Sequence, residues 1–307
     1  MPIRLPNDLP AADVLKQENV FVMSSAEAEH QDIRPLRVLL LNLMPKKIET
    51  EIHIMRMLSN TPLQVDVDLM RIHDKPSKHT SIQHMEKFYK NFDDVKDEFY
   101  DGMIITGAPL GAVPFEEVTF WNEMKAVMDW SRSHVTSTLF LCWSVQAAMY
   151  HQYGINKHVL DEKVSGVYPH HLTNSLSPIV RGFDDFFDAP HSRYAEVDVA
   201  GIQSNTDLDV VAVSDEVGTF LMARKDGRQV FIVGHSEYEP QCLKDEYERD
   251  IEAGLNPKVP ENYFPNDDPT QQPIVTWKSH GNLLFANWLN YYVYQLTPFD
   301  ITQIKAF

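Results

Sequence analysis

Short apolar runs alternate with amphipathic segments along most of this chain. Apolar runs bounded by turn residues are typical of buried strands, whereas apolar positions three or four residues apart are typical of helices. In the first half, the pattern predicts strands at 36–43, 63–69, 99–106 and 137–141 and helices at 11–17, 48–58, 116–131 and 143–150. Because strands that alternate with helices form parallel sheets, we predict an α/β fold with a doubly wound, mostly parallel sheet flanked by helices.

The second half of the chain is less regular. Residues 161–190 are rich in loop-forming residues, and residues 256–273 form a second predicted loop, rich in proline, asparagine and aspartate. The pattern predicts strands at 194–197, 210–213, 218–223 and 229–233 and helices at 243–253 and 280–294. The pair Asp226-Gly227 predicts a hairpin turn between the last two strands.

These elements suit one large domain with additional segments at its ends. Residues 1–34 are mixed in character and interrupted by prolines, so we predict an N-terminal arm there. The main domain is predicted at 35–297 and a C-terminal tail at 298–307. The sequence contains no internal repeat, no glycine-rich dinucleotide fingerprint and no P-loop.

The chain is acidic, with a formal net charge of −17. This charge argues against nucleic acids and anionic membranes as partners, although a small anionic substrate needs only local positive charge. The sequence has two cysteines, no apolar leader after Met1 and no apolar run near the roughly 20 residues that span a bilayer. We therefore expect a cytoplasmic protein with reduced cysteines.

Cys142 lies where the apolar run at 137–141 meets the helix predicted at 143–150. A sulfur at this junction lies beside a helix N-terminus, whose dipole and free N–H groups favour the reactive thiolate. Taken alone, a free cysteine after an apolar strand is more often a small buried core residue.

A second apolar run, 229–233, leads into Gly234, His235, Ser236 and Glu237. Residues two apart on an extended chain face the same way, so Glu237 is placed to orient the site that His235 faces. A His-x-Glu at a strand end is more often a surface pair, but this one and the cysteine both follow predicted parallel strands. Open α/β sheets carry their sites at those ends, and a nucleophile, a base and an orienting carboxylate suit covalent acyl chemistry.

Three other features carry weaker signals. His170 and His171, near a pair of aspartates, match no common metal-site spacing, so no metal is predicted. Arg249 lies soon after Glu237 and could hold a substrate carboxylate in a bidentate fork. Cys242 has no candidate base nearby in the sequence and is interpreted as structural.

Several short motifs point together to one family. They lie at 1–3, 41–47, 140–143, 189–194, 234–238, 279–285 and 287–294. In order and position they closely resemble the homoserine O-acyltransferase family of the succinyltransferase type. The resemblance covers nearly the whole chain and implies the fold of class I glutamine amidotransferases, whose sites also combine a cysteine with His-x-Glu. One position departs from the family pattern: Ser236 replaces the usual proline, and its side chain is expected to point away from His235.

The resemblance implies a catalytic role for each matching position. Cys142 matches the acyl-thioester nucleophile, His235 the general base and Glu237 its partner. The backbone N–H groups of Leu110 and Trp143 are the expected donors to the oxyanion of the transition state.

The resemblance also implies the positions that contact substrate. These are Lys163, Ser192 and Arg249. Gly111 matches a position linked to the choice of acyl donor, where glycine accompanies succinyl-CoA and glutamate accompanies acetyl-CoA. A glycine leaves room, whereas a glutamate would crowd and repel a succinyl carboxylate.

The expected reaction is ping-pong transfer of a succinyl group from succinyl-CoA to L-homoserine, giving O-succinyl-L-homoserine in methionine biosynthesis. Succinyl-CoA is a co-substrate, and no cofactor or metal is expected. The resemblance also suggests a homodimer. Three alternatives stay open: acetyl-CoA as the donor, a glutamine amidotransferase-like hydrolase, or a non-catalytic metabolite-binding protein. Lys46 and Lys47 either offset charge on the acyl or CoA group or are simply solvated.

Overall fold

The computed structural model describes residues 3–6, 8–18, 22–23, 34–72 and 79–307. Within them the strands are β1 (Ile3–Arg4), β2 (Val22–Met23), β3 (Leu36–Leu41), β4 (Val65–Met70), β5 (Tyr89–Lys90), β6 (Tyr100–Ile105), β7 (Val135–Leu141), β8 (Lys157–Leu172), β9 (Phe186–Val197), β10 (Leu208–Ser214), β11 (Gly218–Arg224) and β12 (Gln229–Ile232). The α-helices are α1 (Pro10–Gln17), α2 (Lys47–Ser59), α3 (Ile82–Phe88), α4 (Phe92–Val95), α5 (Trp121–His134), α6 (Trp143–Tyr153), α7 (Val199–Ser204), α8 (Cys242–Glu252) and α9 (Lys278–Asn287). Short 3-10 helices lie at Phe115–Glu117, Pro178–Val180, Pro265–Asp267 and Ile301–Gln303.

The described strands form one sheet in the order β2-β1-β4-β3-β6-β7-β12-β11-β10-β8-β9, with β5 beside β4. Neighbouring strands from β2 to β12 run parallel, as do β4 and β5. The remaining pairs, from β12 to β9, are antiparallel. The predicted mostly parallel α/β sheet is confirmed, and the antiparallel strands extend it at one side.

Helices cover both faces of the parallel part. Val38 and Leu40 of β3 pack in a core that includes residues of α1, α2 and α9. Leu39 and Leu41 point to the opposite face and pack with residues of α5 and α6. Because both faces are covered, every residue of β6 and β7 is buried.

The segment 161–190 departs from its predicted loop character. Most of it belongs to β8 and β9, which form a long antiparallel pair with a register shift between Val159 and Val164. Gly166 lies inside β8. The residue there is glycine because a Cβ would come within 2.5 Å of the carbonyl oxygen of Glu261. This glycine marks a close approach between two backbones within a strand. From composition alone, such a glycine cannot be distinguished from one in a loop.

The two ends of the chain add detail to the predictions. In the described part of the N-terminal segment, β1 pairs with β4, and α1 buries Leu15 against the core that contains α2. The helix predicted at 280–294 begins at Lys278 and becomes a π-helix at Trp288–Tyr294. The boundaries of arm, domain and tail stay predictions. Among the described residues, no helix is long and apolar enough to cross a membrane.

Candidate active site

Cys142 occupies the sharp turn between β7 and α6. Its backbone has φ 51° and ψ −112°, a combination that L-residues rarely adopt. Its N–H donates to the carbonyl of Ile232 at 2.8 Å, which ties the turn to the end of β12. Gly107 lies opposite, where a Cβ would come within 3.2 Å of the Cβ of Cys142. The turn places the cysteine at the carboxyl edge of the parallel strands, as the sequence predicts.

His235 follows β12 at the same edge of the sheet. Strand β12 runs parallel to β7 with Ile232 paired to Leu141, so the residues that follow each strand come close together. The Cys142 sulfur lies close enough to the His235 imidazole to raise the pKa of that ring. The fold therefore assembles the predicted nucleophile and base from two distant parts of the sequence.

Glu237 contacts the His235 ring at Nδ1, with 2.8 Å between Nδ1 and Oε1. Burial alone would lower the pKa of His235, but the Cys142 sulfur and the Glu237 carboxylate raise that pKa well above its usual value. The imidazolium form is favoured, so Nδ1–H donates to Glu237, and Nε2 is the ring nitrogen left for Cys142.

Tyr238 completes the surroundings of His235 and was not among the predicted site residues. The two rings stack with their centroids 4.1 Å apart. The Tyr238 N–H donates to the His235 carbonyl at 3.1 Å, so this segment is a turn and not the extended chain assumed from the sequence. The Tyr238 hydroxyl donates to Oε1 of Glu246 at 2.7 Å. Burial and the Glu246 charge raise the pKa of Tyr238 well above its usual value, which keeps the phenol protonated.

The three predicted substrate contacts meet around one face of α8. Lys163 Nζ lies 3.0 Å from Glu246 Oε2 and 3.1 Å from Asp250 Oδ2. The Ser192 hydroxyl donates to Glu246, and the Arg249 guanidinium lies 2.6 Å from Asp250 Oδ1. Lys163, Ser192 and Arg249 are therefore brought together by two carboxylates that the sequence analysis did not select.

Glu246 and Asp250 could have been found from their spacing. Residues four apart on a helix share one face, and both lie on α8 beside Arg249. Burial acts to raise the pKa of Glu246, but Lys163 and the hydroxyls of Ser192 and Tyr238 hold that pKa below its usual value. Glu246 is therefore an ionised acceptor at neutral pH.

Strand β9 connects this network to the nucleophile. The carbonyl of Ser192 lies 4.0 Å from the Cys142 sulfur. The next residue, Arg193, is buried, donates to the Val217 carbonyl at 2.6 Å and interacts electrostatically with Cys142. A buried guanidinium near the sulfur adds positive charge to the site.

His170 pairs with a second histidine. Its Nε2 lies 3.0 Å from Nε2 of His191, which also contacts Arg193. Burial lowers the pKa of His170 to about 4 and that of His191 well below its usual value, so both rings are neutral. In the described parts of the chain, no group of three or more His, Cys, Asp or Glu side chains could hold a metal ion.

Gly111 lies in the loop between β6 and α5, against β9. A Cβ at this position would lie 3.6 Å from the Cβ of Tyr194 and 3.7 Å from the amide nitrogen of Ala195, which is ordinary contact. The N–H of Leu110 donates to the carbonyl of Ala108 at 2.8 Å. Leu110 is therefore already engaged in this conformation, and its predicted oxyanion role would require that turn to open.

The remaining candidates have other partners. His53 Nε2 is 3.8 Å from the Cys242 sulfur, but burial raises the pKa of Cys242 far above its usual value, which disfavours its thiolate. Lys46 pairs with Glu49 at 3.0 Å on the surface of α2. Lys47 donates to the backbone carbonyl of Asn42.

A cavity of about 630 Å³ opens beside Lys163, one of the predicted substrate contacts. It is lined by Lys163 and Asp250, together with Tyr168, Tyr194 and Tyr247. This volume lies within the range of small-molecule and cofactor sites. The cavity offers both charge signs and aromatic surface next to the network on α8.

Comparison with known proteins identifies the family. The model of the homoserine O-succinyltransferase family matches residues 2–299. The chain belongs to this family. Curated relatives named homoserine O-succinyltransferase include one from Shewanella piezotolerans, 58% identical over 100% of this chain and 97% of its own length. Another, from Shewanella amazonensis, is 56% identical with the same coverage.

Solved structures resemble this family member in fold. A glutamine amidotransferase from Thermotoga maritima aligns with a TM-score of 0.53 at 12% identity, covering 85% of this chain and 100% of its own. A glutamine amidotransferase from Methylobacillus flagellatus aligns with a TM-score of 0.50 at 10% identity, covering 84% of this chain and 95% of its own. The predicted class I glutamine amidotransferase-like fold is confirmed.

Proposed function

We propose that this protein transfers the succinyl group of succinyl-CoA to the hydroxyl of L-homoserine through a Cys142 acyl-enzyme. Membership of the homoserine O-succinyltransferase family supports the overall reaction, which belongs to methionine biosynthesis and makes the protein an acyltransferase. The observation that carries the covalent route is the buried set of Cys142, His235 and Glu237.

The first half-reaction acylates the cysteine. Because the pKa of His235 is raised, its imidazolium form is favoured. The Cys142 sulfur reacts as a thiolate beside this cation. The sulfur attacks the thioester carbonyl, and the resulting oxyanion accepts a hydrogen bond from the N–H of Trp143 at the start of α6. The tetrahedral intermediate expels CoA as a thiolate, which takes the proton from Nε2 of His235.

The second half-reaction transfers the acyl group. His235 is now neutral and accepts the proton of the homoserine hydroxyl as that oxygen attacks the thioester of the acyl-enzyme. Collapse of the intermediate forms the ester and expels the Cys142 thiolate beside the new imidazolium. Glu237 keeps Nδ1 protonated throughout, so Nε2 is always the nitrogen that exchanges protons.

The network on α8 suits an amino acid substrate. Arg249 is exposed and its guanidinium can bind a carboxylate, whereas Lys163 is held by Glu246 and Asp250. Homoserine would place its carboxylate on Arg249 and its ammonium near these carboxylates. Ser192 lies between the network and the sulfur and orients the hydroxyl for attack.

Gly111 supports succinyl-CoA as the donor. Glycine adds no side chain at position 111 beside Tyr194, and no carboxylate there repels the succinyl terminus. A homodimer in the cytoplasm, with no nucleic acid or membrane partner and no cofactor, belongs to the same proposal.

Product analysis tests this proposal. The protein is incubated with homoserine and either succinyl-CoA or acetyl-CoA, and the ester product and released CoA are measured. We expect O-succinyl-homoserine with equimolar CoA and a higher kcat/KM for succinyl-CoA. Preferential acetyl ester formation would overturn the choice of donor. Ammonia release from glutamine without ester formation would instead indicate a hydrolase.

A further inference from the structure

Lys157 lies at the first position of β8, close to the loop that contains Gly111. Its Nζ donates to the carbonyl of Gly111 at 2.6 Å and to that of Val113 at 2.8 Å, and it lies 3.4 Å from the carbonyl of Leu110. The Phe115 ring centroid is 4.4 Å from the same nitrogen. One ammonium, with its three N–H donors, therefore faces three carbonyls of a single loop.

This ammonium has no ion-pair partner in the described portion of the chain. The acidic residues of neighbouring elements are engaged elsewhere: Glu116 accepts from Tyr150, and Glu196 pairs with His158 at 2.9 Å. Burial lowers the pKa of Lys157 to about 8. A half-buried cation without a carboxylate partner is unfavourable unless backbone dipoles stabilise it. For Lys157, these dipoles are the carbonyls of the loop that contains Gly111.

The loop held by Lys157 forms a wall of the candidate active site. At one end, a Cβ on Gly107 would contact the Cβ of Cys142 at 3.2 Å and the N–H nitrogen of Trp143 at 3.7 Å. Further along, Gly111 packs against Tyr194 of β9. Because a trans peptide points its C=O and N–H to opposite sides, fixing the Leu110 carbonyl also fixes the direction of the Gly111 N–H.

We propose that Lys157 is a positioning residue for acylation: by binding the carbonyls of Leu110, Gly111 and Val113, its ammonium fixes the loop against which the acyl donor reacts. The inference rests on the proposed acyl transfer at Cys142. It assigns Lys157 no contact with the reacting atoms. Its effect therefore falls on the first half-reaction, because the homoserine network lies on α8 and β9.

Lys157→Met tests this role because it keeps most of the length of the side chain and removes every donor. Acylation of Cys142 by succinyl-CoA is followed by rapid-quench mass spectrometry without homoserine. We expect a rate roughly 10- to 100-fold lower, the scale of losses from a small misplacement of reacting groups. Alkylation of Cys142 by iodoacetamide is expected to stay unchanged, because the pair with His235 is intact.

Two further variants separate positioning from general damage. Lys157→Arg retains a cation with several donors and is expected to recover most of the acylation rate. Lys225→Met is the matched control, because Lys225 also donates to a backbone carbonyl, that of Thr206. It follows β11 at the amino ends of the parallel strands, away from the candidate active site. That control is expected to behave like the parent protein.

The pH profile of the parent protein provides a test that needs no destabilising change. Deprotonation leaves Lys157 two N–H donors and no charge, so acylation is expected to decline as pH rises through about 8. Lys157→Arg is expected to lack this decline, since a guanidinium stays protonated there. Identical profiles for the two proteins would contradict the inference.

The outcomes distinguish this inference from the proposed function. Normal acylation by Lys157→Met overturns the positioning role and leaves acyl transfer intact. Equal losses of acylation and alkylation, without recovery in Lys157→Arg, assign Lys157 to general folding and also overturn it. Failure of the parent protein to acylate with either thioester overturns the proposed function and this inference with it.

Discussion

Glu237 Oε1 lies 2.8 Å from Nδ1 of His235, two residues earlier in the chain. A turn that ends at Tyr238 makes this contact possible, and both side chains are buried. The carboxylate compensates the charge of an imidazolium that burial alone would disfavour. The pair therefore sets the protonation state on which the proposed chemistry of Cys142 depends.

Removing this carboxylate charge is expected to impair catalysis without displacing the cysteine. In Glu237→Gln, the pKa of His235 falls, the thiolate–imidazolium pair is depleted, and kcat decreases about 100-fold, within the range of acid–base contributions. The pH dependence of Cys142 alkylation measures the cause. Glu239→Gln is the control, because Glu239 pairs with Arg56 and Lys278 and not with His235. Equal effects of the two substitutions would contradict this assignment.

The raised pKa of His235 also predicts how stability depends on pH. Between the unfolded and folded pKa values the native state holds the extra proton, so the stabilisation decreases as pH rises, at most by about 1.4 kcal/mol per pH unit. The stabilisation is fully present below the pKa that His235 has in the unfolded chain. It is lost as pH rises through the pKa that His235 has in the folded protein. Urea unfolding of the parent and His235→Gln across this range measures the difference. If the parent protein gained free energy of unfolding relative to His235→Gln as pH increased, the predicted direction would be wrong.

The choice of acyl donor is expected to depend on charge at position 111. Gly111→Glu should fit sterically, because the Cβ has only ordinary contacts, and should lower the succinyl-to-acetyl ratio of kcat/KM by about 10- to 100-fold through repulsion. Gly111→Gln introduces similar bulk without charge and isolates the electrostatic part. Competition assays with both thioesters measure the ratio. An unchanged ratio in Gly111→Glu would place donor selection elsewhere.

Arg249 is expected to act on homoserine and not on the acyl donor. In Arg249→Met, loss of a charged hydrogen bond should raise the KM for homoserine by roughly 10- to 100-fold while acylation by succinyl-CoA stays unchanged. Measuring the two half-reactions separately tests this. Lys244→Met, on the same helix and facing Glu248, is the control. A selective loss of acylation in Arg249→Met would place the arginine at the donor site.

The parallel half of the fold could be predicted because its strands read as apolar runs separated by amphipathic helices. The pair β8 and β9 could not, because exposed polar positions, Gly166 and a register shift obscure its alternation. The glycine is explained only by its approach to Glu261, a contact distant in sequence. Long-range packing, which one sequence does not reveal, decided that region.

The site divides in a similar way. Cys142 and His235 could be predicted because each follows a parallel strand, a local signal with a known spatial consequence. Lys157 and Arg193 could not, because a lone cation in a strand gives no indication of its partners. Their importance arises from the loop and the sulfur that the fold places beside them.

The acyl-enzyme itself is the central claim, and intact mass measurement tests it most directly. The protein is mixed with succinyl-CoA in the absence of homoserine, and the modified peptide is identified. We expect one succinyl group on Cys142, released when homoserine is added, no adduct in Cys142→Ala, and a normal adduct in Cys242→Ser. Efficient product formation by Cys142→Ala, or a productive succinyl adduct on another residue, would contradict the account.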